Sequence, residues 1–173
     1  MPRRARPRRV LALLAVLASV LVAPSAFGFE REWHLGGGLG AAAAPGYSAG
    51  PAVSLYGAYG LSDAFDARLE LSTSIQGRLD ATNAFFSFKG AFAYKLDVIQ
   101  WIPWIGPSVG GLASGHQKWP FDAIQPTVGA LAGLDYAWTR HFGMGLCLSG
   151  DYGFDQAVIY GAGYLRAEYH WGW

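Results

Sequence analysis

Residues 164–173, Tyr-Leu-Arg-Ala-Glu-Tyr-His-Trp-Gly-Trp, constrain the fold of the 173-residue chain more than any other stretch. The odd positions are Leu165, Ala167, Tyr169, Trp171 and Trp173, and the even ones are Tyr164, Arg166, Glu168, His170 and Gly172. Successive side chains of a β-strand point to opposite faces, so this pattern predicts a strand with one apolar and one charged face. The apolar face becomes more aromatic toward its end. In water a patch of that size promotes association. In a transmembrane barrel it meets lipid, with the rings at the interface.

The same alternation recurs along the chain. From residue 30 onward no segment carries a convincing 3.6-residue period, while period two repeats between turn signals. Eight candidate strands follow: 32–43, 52–61, 65–74, 85–96, 101–113, 124–136, 142–151 and 158–173. The third is the cleanest after the last, with Phe65, Ala67, Leu69, Leu71 and Thr73 opposing Asp66, Arg68, Glu70, Ser72 and Ser74. Residues 76–83 read as a longer polar loop. The fifth strand contains Pro103 and Pro107, each of which removes a ladder donor. Its odd positions Ile105, Pro107, Val109 and Gly111 are expected outward, because Gly106, Ser108 and Gly110 are small or polar. Ten residues at ~3.3 Å each, tilted by roughly 40°, climb about 25 Å, the height of a lipid-facing band.

These features predict an all-β fold, an eight-stranded antiparallel up-and-down transmembrane β-barrel. The connections 62–64, near 97 and 138–141 are short, the others mostly longer, which places both chain ends and the short turns in the periplasm. Aromatic residues collect at both ends. Trp33, Tyr59, Phe65, Tyr94, Trp101, Trp138, Phe142, Tyr169, Trp171 and Trp173 form a predicted periplasmic girdle. Tyr47, Phe85, Phe86, Trp119, Phe121, Tyr152, Phe154 and Tyr160 form an external one. Trp and Tyr favour that depth because the ring is apolar and its N–H or O–H stays wet.

The first residues specify an address. Five arginines stand within the first nine residues, an apolar run covers 10–22, and Ala23-Pro24-Ser25-Ala26-Phe27-Gly28 follows. These are the three regions of a signal peptide, expected over 1–27 with cleavage between 25 and 28, and the barrel domain then covers 28–173. The apolar run is shorter than the ~20 residues of a spanning helix. Removing five of the 13 basic residues, with all 12 acidic ones retained, leaves a mature chain near −4. Nucleic-acid binding would want a basic stripe, so none is expected. The lone Cys147 excludes an internal disulfide. With 24 glycines and 15% aromatic residues, the composition suits closely approaching strands with ringed ends.

The segments YGLSDAFDARLELS, FAYKLDVIQWIPWIGPSVGG, GLDYAWTRHFGMG and RAEYHWGW resemble the small eight-stranded outer-membrane barrels of the OmpA-like and opacity-protein type. The last of them is similar to the C-terminal recognition strand of such barrels. The resemblance implies outer-membrane lipid as the environment and recognition by the barrel-assembly machinery through Leu165, Tyr169, Trp171 and Trp173. It implies no cofactor. A monomer is expected.

Inward-facing positions gather a lumen polar network of Arg68, Glu70, Lys89, Lys95, Arg166, Glu168 and His170, with Asp66 and His34 nearby. Eight strands leave an interior that side chains fill, and confined opposite charges should pair. One reading is a structural plug without flow. The other, which the resemblance permits, is a salt-bridge gate in a narrow pore built from Arg68, Glu70, Lys89, Arg166 and Glu168. Some outer-membrane barrels modify lipid A through His, Ser and an acidic residue. Ser114, His116 and Asp122 share the appropriate loop but not the local motif of those enzymes. Four scattered histidines show no metal-ligand spacing. A soluble lipocalin-like barrel is the architectural alternative, with the apolar face turned inward.

Overall fold

The computed structural model describes residues 31–78, 81–96, 100–115, 124–154 and 157–172. Eight antiparallel strands close into a barrel in sequence order. They are β1 (Trp33–Ala43), β2 (Gly50–Gly60), β3 (Phe65–Arg78), β4 (Ala81–Lys95), β5 (Trp101–Gly115), β6 (Ile124–Ala137), β7 (Phe142–Gly153) and β8 (Val158–Trp171). Closure comes from β1 pairing with β8, from Trp33 opposite Trp171 to Ala43 opposite Gly161. The signal-peptide segment 1–27, its cleavage region, His116, Trp119, Phe121, Asp122 and Trp173 lie outside the described residues.

Parity decides which way each side chain points. Leu39, Leu69, Val109, Leu148 and Leu165 stand on the outside, each about two-thirds exposed (70%, 72%, 66%, 66% and 68%). Arg68, Glu70, Lys89, Lys95, Asp135, Asp151, Arg166 and Glu168 are buried on the inside. The polarity is the inverse of a soluble barrel, which removes the lipocalin-like alternative. The lumen face of β1 is His34-Gly36-Gly38, and the glycines make room. A Cβ on Gly36 would fall 2.5 Å from the Tyr56 phenol oxygen, and one on Gly38 would fall 3.0 Å from Tyr164 Cβ.

The fifth strand faces as the alternation predicts, with Ile105, Pro107 and Val109 exposed. Gly111 is nonetheless covered, because the Phe88 ring and Ile124 close over it. The β4–β5 ladder runs through Ala91↔Ser108 and Tyr94↔Ile105 but omits the intervening pairs. Pro107 has no N–H to give there, and the barrel absorbs that loss in mid-strand rather than at an edge.

Two expectations are corrected. Residues 76–83 are not a polar loop, because β3 and β4 continue to Arg78 and Ala81, with Gln76 opposite Asn83. Their polarity is that of a lumen face, since Gln76 and Asn83 are buried while Ile75 is 55% exposed. The second correction concerns the external girdle. Phe85 and Tyr160 point into the lumen and are almost fully buried, with half-buried Tyr47 against Phe85 at 5.1 Å. Strand parity, not distance along the barrel, decides which aromatics face outward. Tyr152 and Phe154 remain exposed.

At the end where β1 begins and β8 finishes, the terminal end of the barrel, Trp33 pairs with Tyr59 at 4.7 Å between ring centroids and Phe65 with Tyr94 at 5.2 Å. Trp101 meets Tyr136 at 4.8 Å, Tyr136 meets Trp138 at 5.9 Å, and Tyr169 meets Trp171 at 6.1 Å. These pairs sit on the outer face as a nearly continuous belt.

Candidate functional site

The lumen is the candidate site, and it is built in three layers. The middle layer centres on Trp104, carried inward by β5 between its two prolines and buried. The Arg68 guanidinium lies 3.7 Å from the indole centroid, and that of Arg166 lies 4.6 Å from the same ring. Arg166 also lies 4.6 Å from the Tyr56 ring. Desolvated cation–π contacts of this kind contribute about 2 kcal/mol each. Asp135 organises the layer. Its carboxylate accepts the Trp104 indole N–H at 2.7 Å, accepts Arg166 Nε at 2.8 Å, and pairs with Arg166 Nη2. Arg68 makes a bidentate contact to Asp66 through two bonds of 2.8 Å, and Lys95 approaches the same carboxylate at 3.4 Å.

Toward the end away from the termini, Lys89 Nζ lies 2.5 Å from Asp151 and 3.9 Å from Glu70. Ser72 and Ser87 bond at 2.8 Å, and Tyr160 donates to Ser74 at 3.1 Å. Above them an apolar cluster including Phe85, Leu112, Tyr160 and Tyr164 caps the interior. Near the middle layer the free Cys147 is buried beside Trp104 and Leu131.

The layer nearest the termini joins the closing strands. Tyr56 donates to Glu168 at 2.6 Å, and His170 Nε2 lies 3.0 Å from the other oxygen of that carboxylate. His34 and His170 are direct partners across the β1–β8 seam, with ring centroids 4.2 Å apart. Glu32, two residues before His34, is buried under the same end. Burial pushes its carboxyl above the usual carboxylate range, against the pull of His170, Lys95, Arg140 and His141. Four histidines that carry no ligand spacing in the sequence thus contribute two to one point. Exposed His141 instead faces the His170 backbone carbonyl at 3.2 Å.

Every residue of the predicted network, Arg68, Glu70, Lys89, Lys95, Arg166, Glu168 and His170, is buried in this interior. The direct partners of Arg166 and Lys89 are Asp135 and Asp151, whose inward position follows from parity but whose pairing does not. Trp104 and Tyr56 carry the aromatic half of the layer and have no sequence signal beyond even numbering. Ser114 is the last residue but one of β5, while its proposed companions His116 and Asp122 lie outside the described residues. On the outer face, a groove of about 760 Å³ runs between Leu69, Gly90, Phe92 and Val109. It is an apolar furrow on the outer surface of the barrel wall.

No protein-family model and no curated protein matches the chain. Solved structures do. Neisserial surface protein A superposes with a TM-score of 0.69 at 13% identity, over 80% of this chain and 95% of that one. The outer membrane protein OprG from Pseudomonas aeruginosa gives 0.60 at 10% identity, over 83% and 97%. The outer membrane enzyme PagL gives 0.50 at 13% identity, over 78% and 97%. At these identities the likeness is one of fold, and the fold is that of the small eight-stranded outer-membrane barrels.

Proposed function

We propose that this chain, folded as the small eight-stranded outer-membrane barrels are, is an integral outer-membrane protein whose lumen is a polar plug. Its role is non-enzymatic, in envelope structure or at the cell surface. The observation that carries the reading is the Arg68–Trp104–Arg166 stack anchored on Asp135, which fills the barrel at mid-height with paired charges. A fixed stack of this kind opposes flow, because moving Arg166 strips buried Asp135 of its cation and moving Arg68 leaves buried Asp66 with Lys95 alone.

The apolar exterior and its belt of Trp and Tyr support outer-membrane lipid as the partner. Both termini are proposed to lie in the periplasm, after export under the 1–27 signal peptide. The β8 residues Leu165, Tyr169 and Trp171, with Trp173, are the proposed contact for the barrel-assembly machinery. The protein is proposed to be a monomer. The fold by itself is neutral on catalysis, since PagL shares it. The non-enzymatic reading rests on the pairing of the central ions, Arg68 with Asp66, Arg166 with Asp135 and Lys89 with Asp151.

A salt-bridge-gated pore is the second reading. Lys89 favours it, standing between two carboxylates at 2.5 and 3.9 Å and thus able to exchange partners. Cell fractionation tests the main reading. The protein should resist alkaline carbonate, dissolve only in detergent, and run faster on gels unheated than boiled. Recovery in the carbonate supernatant would overturn it.

A further inference from the structure

We propose that Glu32, His34 and His170 form a zinc-type divalent metal site inside the terminal end of the lumen, across the seam joining the first and last strands. One ligand atom from each residue lies within 4.8 Å of the others. His34 and His170 are exact register partners on β1 and β8, so backbone pairing fixes their separation. Glu32 Oε2 lies 3.7 Å from His34 Nε2. Zinc bonds of about 2.0–2.1 Å in a tetrahedron put ligand atoms roughly 3.3 Å apart, so small side-chain rotations close the set. Two imidazoles and a carboxylate are a common zinc donor set, which leaves a position for water.

Two further observations point to a cation. Glu32 is 5% exposed, yet its Oε2 has no hydrogen-bond donor among the described residues. A buried carboxylate oxygen requires a donor or an ion. In the described interior the carboxylates also outnumber the lysines and arginines. Among the described buried residues, the carboxylates of Glu32, Asp66, Glu70, Asp135, Asp151 and Glu168 face the four fixed cations Arg68, Lys89, Lys95 and Arg166, together with the imidazoles of His34 and His170. Three of those cations are committed to Asp66, Asp151 and Asp135 at close range. The fourth, Lys95, lies 3.4 Å from Asp66. That leaves Glu70 at 3.9 Å from Lys89, Glu168 at 3.7 Å from Arg166, and Glu32, and the last two stand around the two imidazoles. Glu168 completes the design as an outer partner, with one oxygen 3.0 Å from His170 Nε2 and the other 3.8 Å from His34 Nδ1. Such carboxylates orient ligating imidazoles and raise their basicity. A metal here would tie the first strand to the last at the point where the barrel closes.

The test uses the full-length protein expressed in membranes and purified in detergent, stripped with chelator and dialysed against zinc. Elemental analysis should find one zinc per chain, and the temperature at which gel mobility changes should rise with zinc and fall with chelator. Glu32→Gln and His170→Gln should each lose both effects, while Glu70→Gln, deep in the lumen, should keep them. Substitution with cobalt(II) should give tetrahedral visible absorption in the wild type and not in Glu32→Gln. If His170→Gln fails to show heat-modifiable mobility, Glu32→Gln at the rim decides alone. No bound zinc in the wild type, or undiminished zinc in Glu32→Gln, would overturn the site and leave a hydrated ion-pair cluster.

Discussion

Trp104 donates its indole N–H to the Asp135 carboxylate at 2.7 Å, diagonally across the β5–β6 pair. That bond accounts for a tryptophan placed inside a barrel whose other tryptophans with described side chains stand outside. The ring gives two guanidiniums an apolar, electron-rich surface, and the N–H helps hold the carboxylate that neutralises one of them. Asp135 opposite Gly145 and Trp104 opposite Gly133 show how the space is made. A Cβ on Gly133 would fall 2.6 Å from the indole nitrogen.

From this contact, Gly133→Ala should destabilise the barrel by pushing the indole off Asp135, while the same change in a Trp104→Ala background should be nearly neutral. Trp104→Ala alone should cost about 3–5 kcal/mol, the range for removing a buried large aromatic. Urea unfolding in lipid vesicles, with all four members of the cycle, measures the coupling. Additive effects would mean that the alanine does not act through the ring.

Lys89 gives an ordered pair of predictions. Asp151→Ala should be strongly destabilising, by about 3–5 kcal/mol, because it strips a buried ammonium of its near partner. Glu70→Ala should cost distinctly less, since Asp151 remains at 2.5 Å. Unfolding midpoints of the two variants in the same vesicles decide the order. Equal losses would indicate that Lys89 divides its charge evenly between the carboxylates.

The outer face makes a depth-dependent prediction. Leu39 and Leu165 are opposite each other near the middle of the β1–β8 seam, and Trp33 stands at its terminal end. Leu165→Arg should cost about 2–4 kcal/mol in a bilayer, and Trp33→Arg should pay a smaller charge penalty of about 0–1 kcal/mol beyond the lost ring. Folding titrations in lipid vesicles give the comparison. A neutral Leu165→Arg would place that face in water.

How much of this the sequence reveals depends on range. Strand number, facing and the inverted polarity follow from parity, which is a local property. The length of β3 and β4 does not, because Gln76 and Asn83 look like loop residues until the lumen is known to be polar. Partnerships across the barrel are illegible for a related reason. Tyr56 and Glu168 are 112 residues apart, and Lys89 and Asp151 are 62 apart. Their meeting follows from closure and stagger, which no alternation encodes. His34 and His170 are the clearest case, since they become neighbours only when the last strand finds the first. The last strand, β8, thus announces its lipid face plainly and conceals the partners of Arg166, Glu168 and His170.

The central claim is that the middle layer plugs the lumen, and planar-bilayer recording of the purified wild type tests it most directly. The account predicts no stable single-channel conductance from the wild type, and channel openings from Trp104→Ala combined with Arg68→Ala, which clears the middle of the stack. Regular wild-type openings, reduced or fixed by Glu70→Ala, would contradict the plug and establish the gated pore instead.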